Sequence, residues 1–443
     1  MRVRNWGRTI SFEPELYIQP RREEEIIRWI LRTVDERKSL RVVGAGHSWT
    51  PLIETEGYLL SLANLQGLIS ITPTHHLATL WAGTPIYRAA RRLWKEGFSL
   101  SNQGDIDRQT IAGAFSTGTH GTGKDFGILA TQVAHYRFID GKGHIHEIYP
   151  DTDPDLFRCL QVSLGLLGVI TQITLQVEPA YYLRLIKRNE KLEEALENAE
   201  NYLETYRHFE FFWFPYSEWV SVKLIEKSEA PNTSSLLKKW LIDGLWENGA
   251  FWCLNKVAQI GIVNSSRLCR FASKNMSEET RTDRAYRIFA TPRWVRFREM
   301  EYSVPAKWGP TVLREIRQWI EKHKPAVSFP IEYRYVKGDN IPLSPAYGED
   351  RVLIAIHMYH RMPHEKYFRG IEEIFWAYQG RPHWGKMHTA SWDYLLQVYP
   401  ELPLFIKLRR KYDPEGIFFT PYFRQILEGE KQKQPILSAV SSK

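Results

Sequence analysis

The stretch that decides the fold is RVVGAGHSWT, residues 41–50. It begins as a β-branched run, Val42-Val43, and passes through Gly44-Ala45-Gly46 to His47. Glycines adopt backbone angles closed to other residues and let the main chain approach a ligand closely. Successive N–H groups in such a turn form a concavity that binds anions. The stretch predicts a strand followed by an anion-binding turn, although alone it is equally compatible with an ordinary tight turn.

A second glycine-rich stretch, SNQGDIDRQTIAGAFSTGTHGTGKDFG, covers residues 101–127. Its threonines, serines and bare backbone offer many hydrogen-bonding groups with little bulk, as a pyrophosphate and a ribityl chain require. Gly165 and Gly168 then precede a third apolar run. Together these stretches favour a large phosphate-bearing cofactor over a set of unrelated turns. Neither GxxxxGK[ST] nor a full GxGxxG pattern occurs, which disfavours a nucleoside triphosphatase or a nicotinamide dehydrogenase.

Composition narrows the class of protein. The 443 residues suggest two or three domains at about 150 residues each, with an ordinary globular balance of 43% hydrophobic and 25% charged residues. The net charge of +8 suits an anionic cofactor or an acidic membrane surface, but scattered lysines and arginines argue against nucleic acid. The three cysteines lack disulfide or metal-ligand spacing, which favours a reduced compartment and a cytoplasmic location. No signal peptide or membrane span is predicted.

Strands and amphipathic helices alternate along the chain, which predicts an α+β fold. A hairpin is expected around residues 140–143, and paired strands within RHFEFFWFPYSEWVSVKLIEK at residues 207–227. Residues 235–265 are helical in pattern and rich in Trp and Leu, so they are expected to form a cap on a sheet or a peripheral membrane contact. Residues 413–416 are interpreted as a turn that ends a helix and starts a final strand.

Several ordered motifs resemble a known family. VVGAGHSW, NQGDIDRQTIAGAFSTGTHGTG and LGVITQITLQVEP are similar to the FAD-binding domain of the vanillyl-alcohol oxidase superfamily. IEYR, SPAYG, RPHWGK and YDPEGIFFTPYF resemble its sugar-1,4-lactone oxidase branch, which includes D-arabinono- and L-gulono-lactone oxidases and alditol oxidase. The resemblance implies a two-subdomain FAD-binding domain at residues 1–182, an α+β substrate domain at 183–430 and a flexible tail at 431–443.

The resemblance also implies how the cofactor is held. In relatives with this strand–turn–histidine pattern the histidine is bonded to the flavin 8α-methyl group, and His47 stands at that position. The expected FAD-binding residues are Gly44, Ala45, Gly46, His47, Ser48, Gly104, Asp105, Thr110, Gly113, Ser116, Gly118, Thr119, His120 and Ile170. The sequence departs from alditol oxidase at Gly104-Asp105, where that enzyme has Ala-Ser. The glycine resembles lactone oxidases, and Asp105 replaces a serine that contacts substrate.

The C-terminal half supplies the expected reactive side chains. Glu332 and Arg334 lie two apart on a strand and therefore share a face, as do His357 and Tyr359. The residues alone allow a structural ion pair, whereas the resemblance implies that Glu332 and Arg334 hold substrate hydroxyls. Lys386 matches a lysine near the flavin N1–C2 oxygen locus, where a cation stabilises the charge of the reduced flavin. The expected catalytic residues are Glu332, Arg334, Lys386 and His357, and the expected substrate contacts are Asp105, Glu332, Arg334, Tyr359 and Lys386.

The implied reaction is oxidation of a sugar 1,4-lactone by hydride transfer to flavin N5, with O₂ as acceptor and H₂O₂ as product. His357 is the expected proton acceptor because histidine titrates near pH 6.5. Gly104 leaves the flavin edge open to oxygen, whereas in related dehydrogenases an alanine at the matching position blocks it. Three alternatives stay open: an alditol oxidase, a lactone dehydrogenase with another electron acceptor, and a flavin-carrying binding protein without turnover.

Overall fold

A computed structural model describes residues 1–229, 265–274, 278–290 and 295–430. The expected cap or membrane contact at 235–265, apart from its last residue, and the tail at 431–443 lie outside these ranges. No helix within the described ranges is long and apolar enough to cross a membrane. Cys159 and Cys269 are buried free thiols.

The predicted strand before the glycine turn is confirmed. Leu40–Val43 lies in a three-stranded parallel sheet with Tyr58–Ser61 at its centre and Leu16–Ile18 at the far edge. The helix Glu23–Asp35 connects the two outer strands and buries Ile26 and Ile30. Its first turn is acidic and its last turn carries an arginine, which complements the helix dipole. The glycine turn therefore leaves the carboxyl end of a parallel strand, where α/β sheets usually bind ligands.

The second sheet has five antiparallel strands. Their spatial order is Ile145–Ile148, Val133–Ile139, Val169–Gln176, Leu77–Trp81 and Leu68–Thr72. The hairpin predicted around residues 140–143 is confirmed, because Val133–Ile139 pairs with Ile145–Ile148. Asp140 stabilises its turn by accepting backbone hydrogen bonds from Lys142 and His144, each at 2.9 Å. The first and second sheets frame the glycine-rich stretches between them.

The third sheet has eight antiparallel strands and includes the strand pair predicted at 207–227. Their order is Glu279–Arg284, Tyr182–Lys191, Trp219–Ser228, His208–Trp213, Ile331–Val336, Arg351–Tyr359, Phe297–Pro305 and Arg381–Pro382. The helices Gly309–His323 and Glu365–Ala377 contribute to the core that contains Ile354 and Ile356. Leu353, on the opposite side of the same strand, joins the core of the N-terminal half. The sheet is therefore covered on both faces, and its inner face looks toward the glycine turn.

The last three helices pack against the core of the N-terminal half. They are Trp392–Val398, Leu402–Tyr412 and Pro421–Glu428, and Leu395, Phe405 and Phe423 pack in one cluster with Leu40. The N–H of Leu40 also donates to the carbonyl of Ile417 at 2.8 Å. The C-terminal helices therefore complete the core of the N-terminal half.

The final strand expected after residue 416 is wrong, because the described chain forms a turn and then a helix beginning at Pro421. The Asp413 carboxylate accepts the backbone N–H groups of Ile417 and Phe418 at 2.9 and 3.0 Å. These groups are thus engaged within the turn rather than with a neighbouring strand. Proline at the first helical position then favours a helix start.

The remaining described elements are short. The helices are Ile86–Lys95, Ile111–Phe115, Pro154–Gln161, Leu192–Glu197, Ala199–Thr205, Ser265–Lys274 and Ala285–Phe289, with 3₁₀ turns at Pro73–His75, Leu129–Gln132 and Ala306–Trp308. Two small strand pairs join Val3–Arg4 to Ser11–Phe12 and Phe98–Ser99 to Glu178–Pro179.

Candidate active site

A cleft of about 280 Å³ opens at the glycine turn. A Cβ on Gly44 would lie 2.3 Å from the Thr110 hydroxyl oxygen, and one on Gly113 would lie 2.9 Å from the same atom. Real Cβ atoms do not come this close to another atom, so steric contact with Thr110 is by itself enough to favour glycine at both positions. Gly46 has φ +66°, which glycine adopts without strain. The cleft is therefore walled by backbone and small side chains.

The structure divides the expected FAD-binding residues between two cavities. The cleft is lined by Gly44, Ala45, Gly46, His47, Ser48, Thr110, Gly113, Ser116 and Ile170. A second cavity, of about 60 Å³, is lined by His47, Ser48, Gly104, Asp105, Thr119 and His120; we call it the charged cavity. Gly118 lines neither of them and instead has φ +75° beside Pro345. Gly165 and Gly168, noted from their position before a strand, also line the cleft.

His47 lies where the cleft and the charged cavity meet, since it lines both. Its ring stacks on Trp6 with centroids 5.8 Å apart. Burial, together with the positive charge of Lys386, lowers the pKa of His47 to about 4, so the imidazole is neutral at pH 7. Its Nδ1 is buried with no hydrogen-bond partner among the described residues. A neutral ring with an unused nitrogen is suited to attack an electrophilic carbon.

Backbone contacts bring the C-terminal motif RPHWGK to this junction. The N–H of Trp49 donates to the carbonyl of Gly385 at 2.7 Å, and the Thr50 hydroxyl donates to the carbonyl of Trp384 at 2.7 Å. Lys386 follows directly and places its ammonium 4.6 Å from the centre of the Trp49 ring. The strand–turn–histidine motif and the lysine motif thus form one site, although over 330 residues separate Thr50 from Trp384.

Arg334 is the centre of the charged cavity. Its Nη2 lies 2.8 Å from Asp105 and 2.5 Å from Glu332, and its Nε lies 2.9 Å from Glu210. Although burial alone would lower the pKa of Arg334, these carboxylates raise it well above its usual value. The guanidinium is thus a fixed cation whose planar fork also orients the three carboxylates.

Two further carboxylates come from the strand Phe297–Pro305, which is separated from Ile331–Val336 by Arg351–Tyr359. Glu299 lies 2.5 Å from the Lys386 ammonium and 3.5 Å from Nε2 of His357. Glu301 lies 3.1 Å from Nε2 of His120. Burial opposes ionisation, but Lys386 and His357 lower the pKa of Glu299 to about 2, and His120 lowers that of Glu301 well below its usual value. Both carboxylates are therefore charged and paired.

His357 and His383 differ in protonation within this cavity. Nδ1 of His357 faces the Pro330 carbonyl at 2.9 Å and its Nε2 faces Glu299. Burial lowers the pKa of His357, but the hydrogen bond and charge of Glu299 outweigh this effect and raise it. Burial lowers the pKa of His383 to about 3, and its Nδ1 accepts the N–H of Gly385 at 3.0 Å. His357 is thus the more readily protonated ring, whereas His383 is neutral at pH 7.

Strand register sets the positions of these groups. Ala355 lies directly opposite Glu332 on one neighbouring strand and opposite Glu301 on the other. A small residue thus stands between the positions of the two carboxylates. His357, two residues further on the same face, lies opposite Glu299. The cavity floor is therefore three adjacent strands that present charged residues around a central alanine.

The structure brings together most of the expected reactive residues. Asp105, Glu332, Arg334, His357 and Lys386 all line the charged cavity. Tyr359 does not line it; its side chain is 2% exposed and belongs to the helix-covered core.

Sequence reasoning missed Glu210, Glu299 and Glu301. The i, i+2 pattern that identified Glu332 and Arg334 also occurs in FREMEYSVP, where it would have identified Glu299 and Glu301. Glu210, flanked by aromatic residues in RHFEFFWF, was visible as a lone charge in an apolar strand.

Comparisons with known proteins identify the family of this chain. The FAD binding domain family matches residues 14–149, and the D-arabinono-1,4-lactone oxidase family matches residues 173–426. The chain is 33% identical to the L-gulono-1,4-lactone dehydrogenase of Mycobacterium tuberculosis (strain ATCC 25618 / H37Rv), covering 96% of this chain and 98% of the relative. It is 30% identical to the L-gulonolactone oxidase of Scyliorhinus torazame, over 95% of this chain and 97% of the relative.

A solved structure shares the fold. A solvent-stable cholesterol oxidase superposes with a TM-score of 0.83 at 17% identity, over 96% of this chain and 97% of that one. This likeness confirms the predicted α+β fold. From the family matches and the full-length relatives, the chain belongs to the D-arabinono-1,4-lactone oxidase family and is an FAD-dependent oxidoreductase that acts on a CH–OH group.

Proposed function

We propose that this protein oxidises a sugar 1,4-lactone and uses O₂ as electron acceptor, with H₂O₂ as product. The observation that carries the proposal is the charged cavity, where paired cations and carboxylates surround an open floor directly beside His47. Such a set of fixed donors and acceptors suits a small, uncharged ligand with several hydroxyls. The names of the relatives, which are lactone oxidases and dehydrogenases, support the same substrate class.

The cleft fits FAD, and we place the covalent attachment at His47. Gly44 and Gly113 allow the backbone approach that a pyrophosphate needs, and the unused Nδ1 of His47 is available for the bond to the 8α carbon. Because this ring is neutral at working pH, its lone pair is free to form the bond. FAD held in this cleft would supply the redox chemistry, taking up a hydride from the substrate C–H bond and passing two electrons to O₂.

In this proposal Arg334 orients the substrate. Its remaining N–H groups donate to substrate oxygens, while Glu332 and Asp105 accept hydrogen bonds from substrate hydroxyls. Because Nε of Arg334 donates a hydrogen bond to the Glu210 carboxylate, the guanidinium keeps its position when a ligand enters. The three carboxylates also keep its charge balanced, which limits the cost of burying it.

The substrate hydroxyl must lose its proton as the C–H bond breaks, and we assign this proton to His357. Glu299 stabilises the protonated imidazole at 3.5 Å from Nε2, while the Pro330 carbonyl holds Nδ1–H. Lys386 shares the Glu299 carboxylate and provides the positive charge that we expect to stabilise the reduced flavin. Glu299 therefore connects the proton acceptor to the lysine.

Two alternatives differ in substrate or acceptor. An alditol oxidase would use the same hydroxyl contacts, but Asp105 adds a carboxylate where alditol oxidase has serine. A lactone dehydrogenase would exclude O₂ and is favoured by the name of the relative with 33% identity. Gly104, which lines the charged cavity, favours the oxidase, because related dehydrogenases have an alanine at the matching position.

The decisive experiment separates substrate from acceptor. Purified enzyme is mixed anaerobically with L-gulono-1,4-lactone, D-arabinono-1,4-lactone, xylitol or sorbitol. Flavin bleaching is followed as the loss of the absorbance of oxidised flavin at about 450 nm. The reduced enzyme is then mixed with oxygenated buffer. Bleaching by a lactone and fast reoxidation with H₂O₂ formation support the proposal. Bleaching by alditols alone, or slow reoxidation, would favour the corresponding alternative.

A further inference from the structure

A third cavity lies behind the charged one, and we call it the distal cavity. Its volume is about 50 Å³, and Asp105 and Arg334 line both cavities. At ~10–15 Å³ for each water, this space holds roughly three to five waters or a short hydroxylated side chain. A ligand bound at Arg334 therefore has a space into which part of it can extend.

Three uncharged, buried side chains of the distal cavity have polar atoms without a partner among the described residues. These atoms are Nδ2 of Asn102, Oε1 of Gln103 and Nε2 of His208. The three side chains are 2%, 4% and 1% exposed, respectively. Buried polar atoms are nearly always hydrogen-bonded, and leaving one unpaired is costly. Three such atoms at one cavity indicate a ligand or ordered water.

The orientation of each group follows from its other contacts. Oδ1 of Asn102 accepts the N–H of Gln103 at 2.9 Å, so its Nδ2 is the unpaired donor. Nδ1 of His208 lies 2.7 Å from the Thr122 carbonyl and must donate to it. Burial lowers the pKa of His208 to about 3, so the ring is neutral and its Nε2 is an acceptor. Together with Oε1 of Gln103, these unpaired atoms make one donor and two acceptors, and they stand in a lining that also includes the charged side chains of Lys187, Lys223 and Arg281.

This set distinguishes between ligand classes. A hydroxyl both donates and accepts, so two hydroxyls can satisfy one donor and two acceptors. A carboxylate can only accept and an ammonium can only donate, so neither satisfies the set. The opposite wall includes Ile225, Ile288 and Phe289, which suit the C–H faces of a carbon chain. A hydroxylated carbon chain fits both walls.

We propose that the distal cavity binds the exocyclic arm of the lactone and selects its length. The ring occupies the charged cavity, and the arm passes Arg334 toward Asn102, Gln103 and His208. A five-carbon 1,4-lactone has one carbon outside the ring, whereas a six-carbon lactone has two, each carrying a hydroxyl. The longer arm satisfies more of the unpaired atoms, so the enzyme prefers six-carbon lactones. This inference rests on the proposed function, because it needs a lactone as substrate.

The test uses the anaerobic reduction of the holoenzyme flavin by L-gulono-1,4-lactone and D-arabinono-1,4-lactone. The dependence of the rate on lactone concentration gives the apparent Kd separately from the limiting rate. Gln103→Met and His208→Phe each remove one acceptor; Phe keeps the stacking on Phe126, whose centroid is 4.8 Å away. Each variant is expected to raise the Kd of the six-carbon lactone about threefold to tenfold, as for one lost hydrogen bond. The Kd of the five-carbon lactone should rise less.

Matched controls come from similar side chains outside the cavities. Gln161→Met changes a buried glutamine that donates to the Ala130 carbonyl, and His146→Phe changes a histidine stacked on Phe138 at 4.9 Å. Neither should alter the ratio of the two Kd values. An unchanged ratio in both Gln103→Met and His208→Phe would overturn the inference and indicate that the cavity holds water only. If no lactone reduces the wild-type flavin, the proposed function fails and this inference with it.

Discussion

The cleft and the charged cavity meet at His47 but are built in different ways. The cleft is walled by backbone and small residues from short contiguous segments, such as residues 44–48. The charged cavity is walled by side chains that come from separate strands and loops, such as Asp105 and Arg334, which are 229 positions apart. The first region depends on local backbone conformation, and the second depends on long-range register.

Two histidines show the chemical consequence of this difference. His47, beside Lys386 and without a carboxylate partner among the described residues, has a lowered pKa. His357, beside Glu299, has a raised pKa even though it is more deeply buried. Local charge rather than burial decides the difference. The cleft therefore holds a neutral imidazole, and the cavity holds an imidazole that is more readily protonated.

The largest expected effect is in the cleft. His47→Ala should abolish covalent attachment, because the alanine offers no nitrogen for the bond to the flavin. Wild-type protein precipitated with acid should give a yellow pellet, and the variant should release its flavin to the supernatant. His146→Ala, outside both cavities, is the control and should stay yellow. A yellow pellet from His47→Ala would assign the attachment to another residue.

In the charged cavity, Arg334→Met should slow flavin reduction by substrate about tenfold to a hundredfold, since charge-assisted hydrogen bonds contribute roughly 1.5–3 kcal/mol. It should also lower the melting temperature, because Asp105, Glu210 and Glu332 lose their shared cation. Stopped-flow reduction and thermal unfolding measure the two effects. Arg188→Met, which breaks the pair with Glu190 on the same sheet, is the control. Wild-type reduction rates in Arg334→Met would place substrate binding elsewhere.

Gly104→Ala tests whether open space in the cavity determines the electron acceptor. The added Cβ would lie 3.0 Å from the His120 carbonyl oxygen and 3.6 Å from the Thr119 methyl group, so the backbone must shift by a few tenths of an ångström. We expect reoxidation by O₂ to slow about tenfold, which is ~1.4 kcal/mol in barrier height, with little change in reduction by substrate. Rapid mixing of the reduced enzyme with oxygen measures the first step. Equal reoxidation rates in the two proteins would show that Gly104 does not control oxygen access.

The smallest expected effect is a change in pH dependence. His357 must be neutral to accept a proton, so the reduction rate should rise as the pH increases through its raised pKa. Glu299→Gln removes the charge that raises this pKa, so the rising limb should move to lower pH. Glu301→Gln, whose partner is His120, is the matched control and should move the limb less. A limb that stays in place in Glu299→Gln would exclude His357 as the group observed.

Much of the fold was predictable because its signals are local. The strand before His47, the hairpin at residues 140–143 and the strands carrying Glu332 and His357 each follow from short patterns in the sequence, and the structure contains them. The strand expected after residue 416 failed for a local reason as well. Side-chain hydrogen bonds from Asp413 engaged the backbone that a strand would have used.

The sequence by itself determined the glycine-lined cleft and the position of His47, because backbone freedom and small side chains are properties of contiguous residues. It also determined that Glu332 and Arg334 share a face, since alternation along a strand is local. Only the tertiary structure decided that Arg334 contacts Asp105 and Glu210, and that Glu299 joins His357 to Lys386. These contacts depend on which strands pair and in what register, and that choice is made by the burial of the whole sheet between its two cores.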